Sequence, residues 1–395
     1  MREPVDDLGE SVPVLLVTRN LPPLRGGMER LNRHIAIELQ ARFDVHVIGP
    51  EGSRQELPAT LKVHEVGVRP LWRFLLKAWL RAMWCAREFK PRIVLAGSGL
   101  TAPIAMFAAW LAGGRSAVYA HGLDLVVRHP LYRALWLPFL RRCELCIVNS
   151  RNTAMLAEQV GVSPERIVVI HPGVELPGPN GDGIGMGFRQ RHGLIGKKLL
   201  LSVGRLTARK GLREFVRHAL PQIMTVNPDA VLVVIGDGAP DALKRAGVGN
   251  VQDIRECAHA LGLDHAVQML GACSESELAA AYAAADVCVF PLLDLPGDVE
   301  GFGMVAIEAA AHGLPTVAFE VGGVADAIAD GRSGWLVPPG DYAGMGKRIQ
   351  QVLETGRTPE VCAEARRFSE AFEWGLFGAK MREALSCLVN QRASA

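Results

Sequence analysis

At 395 residues, 49% of them hydrophobic and 21% charged, the chain has the composition of a folded globular protein and the length of two domains, which excludes a disordered or fibrous polymer. A net charge of only +2, with the basic residues dispersed, excludes a dedicated nucleic-acid binder. The balance is uneven all the same: residues 1–175 carry 22 Lys and Arg against 16 Asp and Glu, and the remainder 21 against 25, so the first half favours an anionic partner.

In chain order, the opening Met1-Arg2-Glu3-Pro4-Val5-Asp6-Asp7 lacks the basic-then-apolar order of a signal peptide. The longest apolar run, residues 100–112, is too short to span a bilayer, and together these features predict a cytoplasmic protein. Short β-branched runs then alternate with helical patterns, the signature of parallel sheets covered by helices. Strands are predicted over residues 12–18, 45–48, 92–95, 117–120, 146–148 and 167–170 for a first sheet. A second series covers 199–203, 230–235, 267–269, 287–290, 316–319 and 334–337. The Gly- and Pro-rich stretch 172–187 reads as the linker, giving an α/β protein of two Rossmann-like domains, 1–175 and 188–373.

Within the first domain, residues 71–90 form an amphipathic helix pattern. Trp72, Leu75, Leu76, Trp79 and Met83 fall on one helical stripe and read as its core face. Phe74, Leu80 and Trp84 lie off that stripe among Arg73, Lys77, Arg81, Arg87 and Lys90, with Glu88 the only acid. Arg128, Arg133, Arg141 and Arg142 add to the same domain. A basic face mixed with aromatics suits an anionic membrane surface, so peripheral association with the inner face of the cytoplasmic membrane is expected. Cys143 and Cys146 form a Cys-x-x-Cys without a second pair, and they read, like the other six cysteines, as reduced core residues rather than metal ligands. At the far end, residues 368–388 read as a helix anchored by Phe372, Trp374 and Phe377.

Three glycine-rich elements follow predicted strands, where helix N-termini offer free amides to anions. The first is Pro22-Pro23-Leu24-Arg25-Gly26-Gly27-Met28. The second, Gly204-Arg205-Leu206-Thr207-Ala208-Arg209-Lys210-Gly211, supplies cations that would neutralise a diphosphate, a task often given to Mg2+ held by Asp-x-Asp, a motif this chain lacks. Arg205 and Lys210 are its candidates for the diphosphate. The third is Glu300-Gly301-Phe302-Gly303-Met304-Val305-Ala306-Ile307-Glu308, where a helix starting near Gly303 would aim the amides of Phe302 to Val305 at a ligand. Glu300 would then stand ahead of the turn and Glu308 at its end, each able to accept bonds from hydroxyls.

These elements occur with Tyr119-Ala120-His121-Gly122-Leu123-Asp124, Val148-Asn149-Ser150, His171-Pro172-Gly173-Val174, Val321-Gly322-Gly323-Val324 and Gly331-Arg332-Ser333-Gly334-Trp335. Together they resemble the family 4, or group 1, retaining glycosyltransferases over nearly the whole chain. The resemblance implies a GT-B architecture, two Rossmann-like domains facing a cleft, with 1–175 binding the acceptor, 188–373 the nucleotide sugar, and a return helix 374–395 crossing back to the first domain. It implies a hexosyltransferase without catalytic metal or cofactor, in which Glu308 holds ribose and Glu300 and the amides from Gly301 to Gly303 hold the sugar. Arg205 and Lys210 would hold the diphosphate, Gly26 and Gly27 would close over it, and His121 would lie near the anomeric carbon. The turn Gly271-Ala272-Cys273 would meet the base. Asp298-Val299-Glu300-Gly301 resembles the donor loop of mannosyltransferases acting on phosphatidylinositol mannosides, which makes GDP-mannose the first choice of donor and a lipid-linked or glycan molecule of cell-envelope or polysaccharide biosynthesis the acceptor. The alternatives are a UDP-sugar with a soluble acceptor, and a GT-B epimerase or hydrolase of the nucleotide sugar. Glu175 and Asp326 exchange one acid for the other at positions where the family has Asp and frequently Glu.

Overall fold

The computed structural model describes residues 11–178, 181–238 and 251–390. The chain divides into two compact units, 1–171 with 374–395, and 172–373. Each is a parallel sheet with helices packed on it.

The first sheet is built from β1 (Val12–Val17), β2 (Phe43–Pro50), β3 (Lys62–Val66), β4 (Ile93–Ala96), β5 (Arg115–Ala120), β6 (Leu145–Val148) and β7 (Ile167–Val169), in the order β3-β2-β1-β4-β5-β6-β7. All its pairings are parallel. The second contains β8 (Lys198–Val203), β9 (Ala230–Ile235), β10 (Val267–Gly271), β11 (Val287–Phe290), β12 (Thr316–Phe319) and β13 (Gly334–Val337), in the order β10-β9-β8-β11-β12-β13, again all parallel. Strands β4, β6, β9, β11 and β12 are buried at every position, because helices cover both faces. In each sheet the strand order reverses once, between β1 and β4 and between β8 and β11. There the loops leaving the two neighbouring strands diverge and open a crevice at the carboxyl ends.

Twelve of these strands coincide with the sequence expectations, while β3 is missing from them. Its Lys62-Val63-His64-Glu65-Val66 alternates polar and apolar side chains, as an edge strand does, and carries no continuous apolar run. The expected linker 172–187 is shorter in fact, since a helix occupies Gly181–Arg191 with Phe188 fully buried. The helix phase of residues 71–90 also needs correction. Helix Leu71–Glu88 buries Phe74, Ala78, Ala82, Cys85 and Ala86, not Trp72 and Leu76. Small alanines at four-residue spacing let it lie close to its neighbours, so its large residues are left at the flanks and outside. Cys143 and Cys146 are free thiols in the first unit's core, and burial pushes that of Cys143 up to about 12.

The expected C-terminal helix is two helices, Pro359–Glu370 and Trp374–Asn390. Its aromatic anchors divide accordingly: Phe372 joins the core of the second unit, against Phe302, whereas Trp374 and Phe377 belong to the first. Helix Trp374–Asn390 packs on helix Gly27–Leu39, where Trp374 stacks flat on His34 at 3.7 Å and Arg382 Nη1 donates to the Glu38 carbonyl at 2.7 Å. Burial, with the charges of Arg33 and Arg30, lowers the His34 pKa to about 4, so the stacked ring is neutral at pH 7. Trp374→Ala should therefore cost about 3–5 kcal/mol of first-unit stability, the usual loss for a buried Trp. A urea midpoint unchanged by the substitution would show that the helix is not part of that unit's core.

Candidate active site

In the second unit, the loops that leave β8 and β11 are joined at the point where the strand order reverses. Gly211, at φ +66°, ends the β8 loop against the Pro291 carbonyl, where a Cβ would sit 1.8 Å from the oxygen. No other residue fits this position. One step away, Leu293 N donates to Arg209 O at 2.8 Å.

That backbone contact brings oppositely charged side chains together. Glu300 Oε2 accepts from Lys210 Nζ at 2.9 Å and from Arg209 Nη1, while Arg209 Nε donates to Asp298 Oδ1 at 3.0 Å. Lys210 Nζ also lies 4.6 Å above the Phe290 ring. Arg209, Lys210 and Glu300 are mostly buried, Glu300 at 15% exposure. Burial pushes the Glu300 carboxyl up, but the Lys210 and Arg209 charges outweigh it and hold the pKa at about 2. For Lys210 burial dominates, and with Arg209 and Arg205 nearby it outweighs the attraction of Glu300, so its pKa is lowered. Arg205, by contrast, is exposed and makes no ion pair among the described residues. Of the two cations expected to meet a diphosphate, one is thus open and the other is already engaged.

Gly303 caps helix Met304–Ala311, so its first-turn amides begin where the sequence placed them. Phe302 is buried beneath the turn. Glu308 lies in the helix's second turn rather than at the end of its first, largely buried, and accepts from Tyr282 Oη at 2.9 Å. The Glu300 carbonyl accepts from Gly323 N at 2.8 Å, and Gly322, at φ +62°, approaches so near that a Cβ would lie 2.4 Å from the same oxygen. The Val321-Gly322-Gly323 turn therefore supports the Glu300 loop from the next strand. Gly271 ends β10, and the adjoining Ala272 N donates to Asp237 Oδ2 at 3.2 Å.

In the first unit, His121 follows β5 and is buried, its Nε2 2.8 Å from the Gly97 carbonyl after β4. A carbonyl only accepts, so Nε2 carries the proton and Nδ1 the lone pair in the neutral ring. Asn32 Nδ2 donates to the same carbonyl at 3.2 Å, and Asn32 belongs to the helix Gly27–Leu39 that Gly26 caps after β1. Gly26, Gly27 and His121 thus share the crevice end of the first sheet, as Arg205, Lys210 and Glu300 share that of the second.

Residues 188–368 match the family described as Glycosyl transferases group 1, and residues 25–176 match Glycosyltransferase Family 4. The chain carries one domain of each of these two glycosyltransferase families. Its first sheet and its second each carry one of the two family domains. The D-inositol 3-phosphate glycosyltransferase of Streptomyces bingchenggensis is 33% identical over 235 residues, 58% of this chain and 49% of that protein. The chain thus spans about half the length of this relative. The GDP-mannose-dependent alpha-(1-6)-phosphatidylinositol monomannoside mannosyltransferase of Mycolicibacterium smegmatis is 27% identical across 94% of this chain and 98% of its own. Among solved structures, Anabaena HepE in complex with UDP and glucose superposes with a TM-score of 0.78 at 21% identity, over 95% of this chain and all of that one. Sucrose-phosphate synthase from Thermosynechococcus elongatus does so with 0.78 at 21%, over 96% and 100%. The family's fold is GT-B.

Sequence reasoning missed Arg209 and Tyr282 as partners of the two glutamates, and Asp298 as the second carboxylate on Arg209. Arg209 stood in plain view beside Lys210, and Asp298 was noticed only for its likeness to other donor loops. A surplus of acids in one loop facing a surplus of cations in another was the available signal.

The ionised Glu300 contributes stability that is complete above the ordinary glutamate pKa of 4.5 and is lost as pH falls through about 2. Unfolding free energy should accordingly drop between about pH 5 and pH 2. Glu300→Gln should be about 3 kcal/mol less stable at neutral pH and show a shallower acid loss. Equal acid slopes in the two proteins would remove Glu300 as the titrating group.

Proposed function

We propose that the protein is a retaining, metal-independent glycosyltransferase that moves a hexose, mannose from GDP-mannose in the first instance, onto a lipid-linked or glycan acceptor in cell-envelope or polysaccharide biosynthesis. The observation that carries this reading is the joined β8 and β11 loop pair, which sets cations for a diphosphate beside a carboxylate and a helix N-terminus for a sugar. Arg205 and Lys210 neutralise the leaving diphosphate in place of a metal. Glu300 and the amides of Gly301, Phe302, Gly303, Met304 and Val305 receive the sugar, and Glu308, fixed by Tyr282, receives the ribose. The Gly271 turn meets the base, Gly26 and Gly27 meet the diphosphate, and His121 meets the sugar near its anomeric carbon. The acceptor attacks on the face that the diphosphate leaves, and the departing phosphate takes its proton, so the chain contributes position and charge rather than a nucleophile. The preference for GDP-mannose draws support from the mannosyltransferase relative that matches over nearly its full length.

A thermal-shift panel of GDP-, UDP- and ADP-hexoses tests the donor. A ligand at 100 times its Kd stabilises the folded state by about 2.7 kcal/mol, so GDP-mannose should raise the midpoint most. No shift with any of them would overturn the reading; without acceptor, released sugar would reveal a hydrolase and an epimeric nucleotide sugar an epimerase.

The reading includes an anionic membrane surface as partner. No described helix is long and apolar enough to cross a membrane. Helix Leu71–Glu88, however, exposes a ridge one residue every fourth position, Trp72 (60%), Leu76 (52%), Leu80 (60%) and Trp84 (47%). Arg73 and Arg81 lie over the two indoles, at 5.1 and 5.4 Å from the ring centres. Such a ridge inserts at the acyl boundary while its cations face lipid phosphates. Sedimentation with anionic but not neutral vesicles is expected, and a Trp72→Ala, Trp84→Ala double variant should lose it. Binding indifferent to lipid charge would sink this part.

A further inference from the structure

We propose that Arg209 is a positioning residue of the donor site: it holds the Asp298 and Glu300 carboxylates so that Lys210 can leave Glu300 for the donor diphosphate. The proposal rests on the transferase reading above. Both Lys210 and Glu300 are needed by the donor, one for phosphate and one for sugar, yet in this structure they are bonded to each other at 2.9 Å. A donor must therefore divide the pair, and the glutamate left behind needs another counter-charge.

Arg209 is built to supply it. Its guanidinium forks across two carboxylates two residues apart, through Nε to Asp298 and Nη1 to Glu300. A planar fork fixes both in direction, which a single ammonium cannot do. The guanidinium is anchored at its own root, since the Arg209 carbonyl accepts from Leu293 N at the start of the same acidic loop. Like Lys210 it is mostly buried, at 12% and 14% side-chain exposure respectively, whereas Arg205 is open. Burial lowers its pKa, but Glu300 and Asp298 raise it further, so its charge is permanent. Lys210 is the movable member: its own pKa is lowered, Arg205 repels it, and its stem lies along Gly204, where no side chain obstructs it. The diphosphate, bringing two negative charges to Arg205, would draw Lys210 across while Arg209 keeps Glu300 ionised and aimed at the sugar.

The test is the pH dependence of kcat and the donor KM in Arg209→Gln, Arg209→Lys and Asp298→Asn. Arg209→Gln should lower kcat at least tenfold with donor KM changed less than about threefold, and move the acid limb of the kcat profile upward by a unit or more. Arg209→Lys keeps the charge and loses the fork, so its acid limb should return toward wild type while kcat stays reduced. Asp298→Asn frees one arm of the fork and should lower kcat without moving the limb. An acid limb unmoved in Arg209→Gln, or a loss carried wholly by donor KM, would overturn the proposal; the latter would make Arg209 a donor ligand. If Arg209→Gln does not fold, unchanged kcat in the other two variants overturns it equally. A wild-type protein that transfers no hexose would instead defeat the transferase reading. Titration of Glu300 by carboxyl 13C NMR, assigned with Glu300→Gln, then decides the clamp on its own: the midpoint rises when Arg209 is replaced by Lys or Gln in the order of lost charge and contact, or the clamp is wrong.

Discussion

The close approach of Gly211 to the Pro291 carbonyl is the constraint from which the second unit's candidate site follows. Two parallel strands whose following loops diverge would ordinarily leave a gap at their carboxyl ends. Here the loops are tied at their roots, so their tips face each other at ion-pair distance and the gap lies beyond them. Charges that would be weak and hydrated on separate loops become mostly buried and mutually dependent. Each alone would be costly to bury. Their proximity is what allows any of them to be there.

The first unit solves the same geometric problem with a backbone acceptor. A single carbonyl, that of Gly97 after β4, receives Asn32 from the helix after β1 and His121 from the loop after β5. One oxygen thus fixes three segments around the strand reversal.

What the sequence made legible depended on whether information was local. Arg205, Lys210 and Glu300 could be singled out as candidates because residue types suited to phosphate and hydroxyls stand in loops after strands, and strands announce themselves by β-branched runs. The partnership of Arg209 with Glu300 spans 91 positions and exists only once two strands are neighbours, so no window of sequence contains it. Strand β3 escaped for the opposite reason: its pattern is local but resembles a loop, because one side of an edge strand has no neighbour. In helix Leu71–Glu88 the large residues suggested one phase and the small ones dictated another. Size drew the eye to Trp72 and Leu76. The packing followed Ala78 and Ala82, because the face that meets a neighbour closely must be the slim one. Phe372 and Trp374, two residues apart and alike in bulk, serve different cores, which depends on where the chain changes units and not on either residue.

That change of units sets an order of events. Trp374 and the helix it begins complete the packing of the first unit, yet they lie some two hundred positions after its last strand. A ribosome delivers the chain from its N-terminus, and domains ordinarily fold as they emerge. This first unit emerges early but lacks the helix that covers Gly27–Leu39 until the whole second unit has been made. The part of the protein that is synthesised first is the part that is finished last, so a chain halted anywhere before Trp374 carries an uncovered helix face beside Gly26 and Gly27.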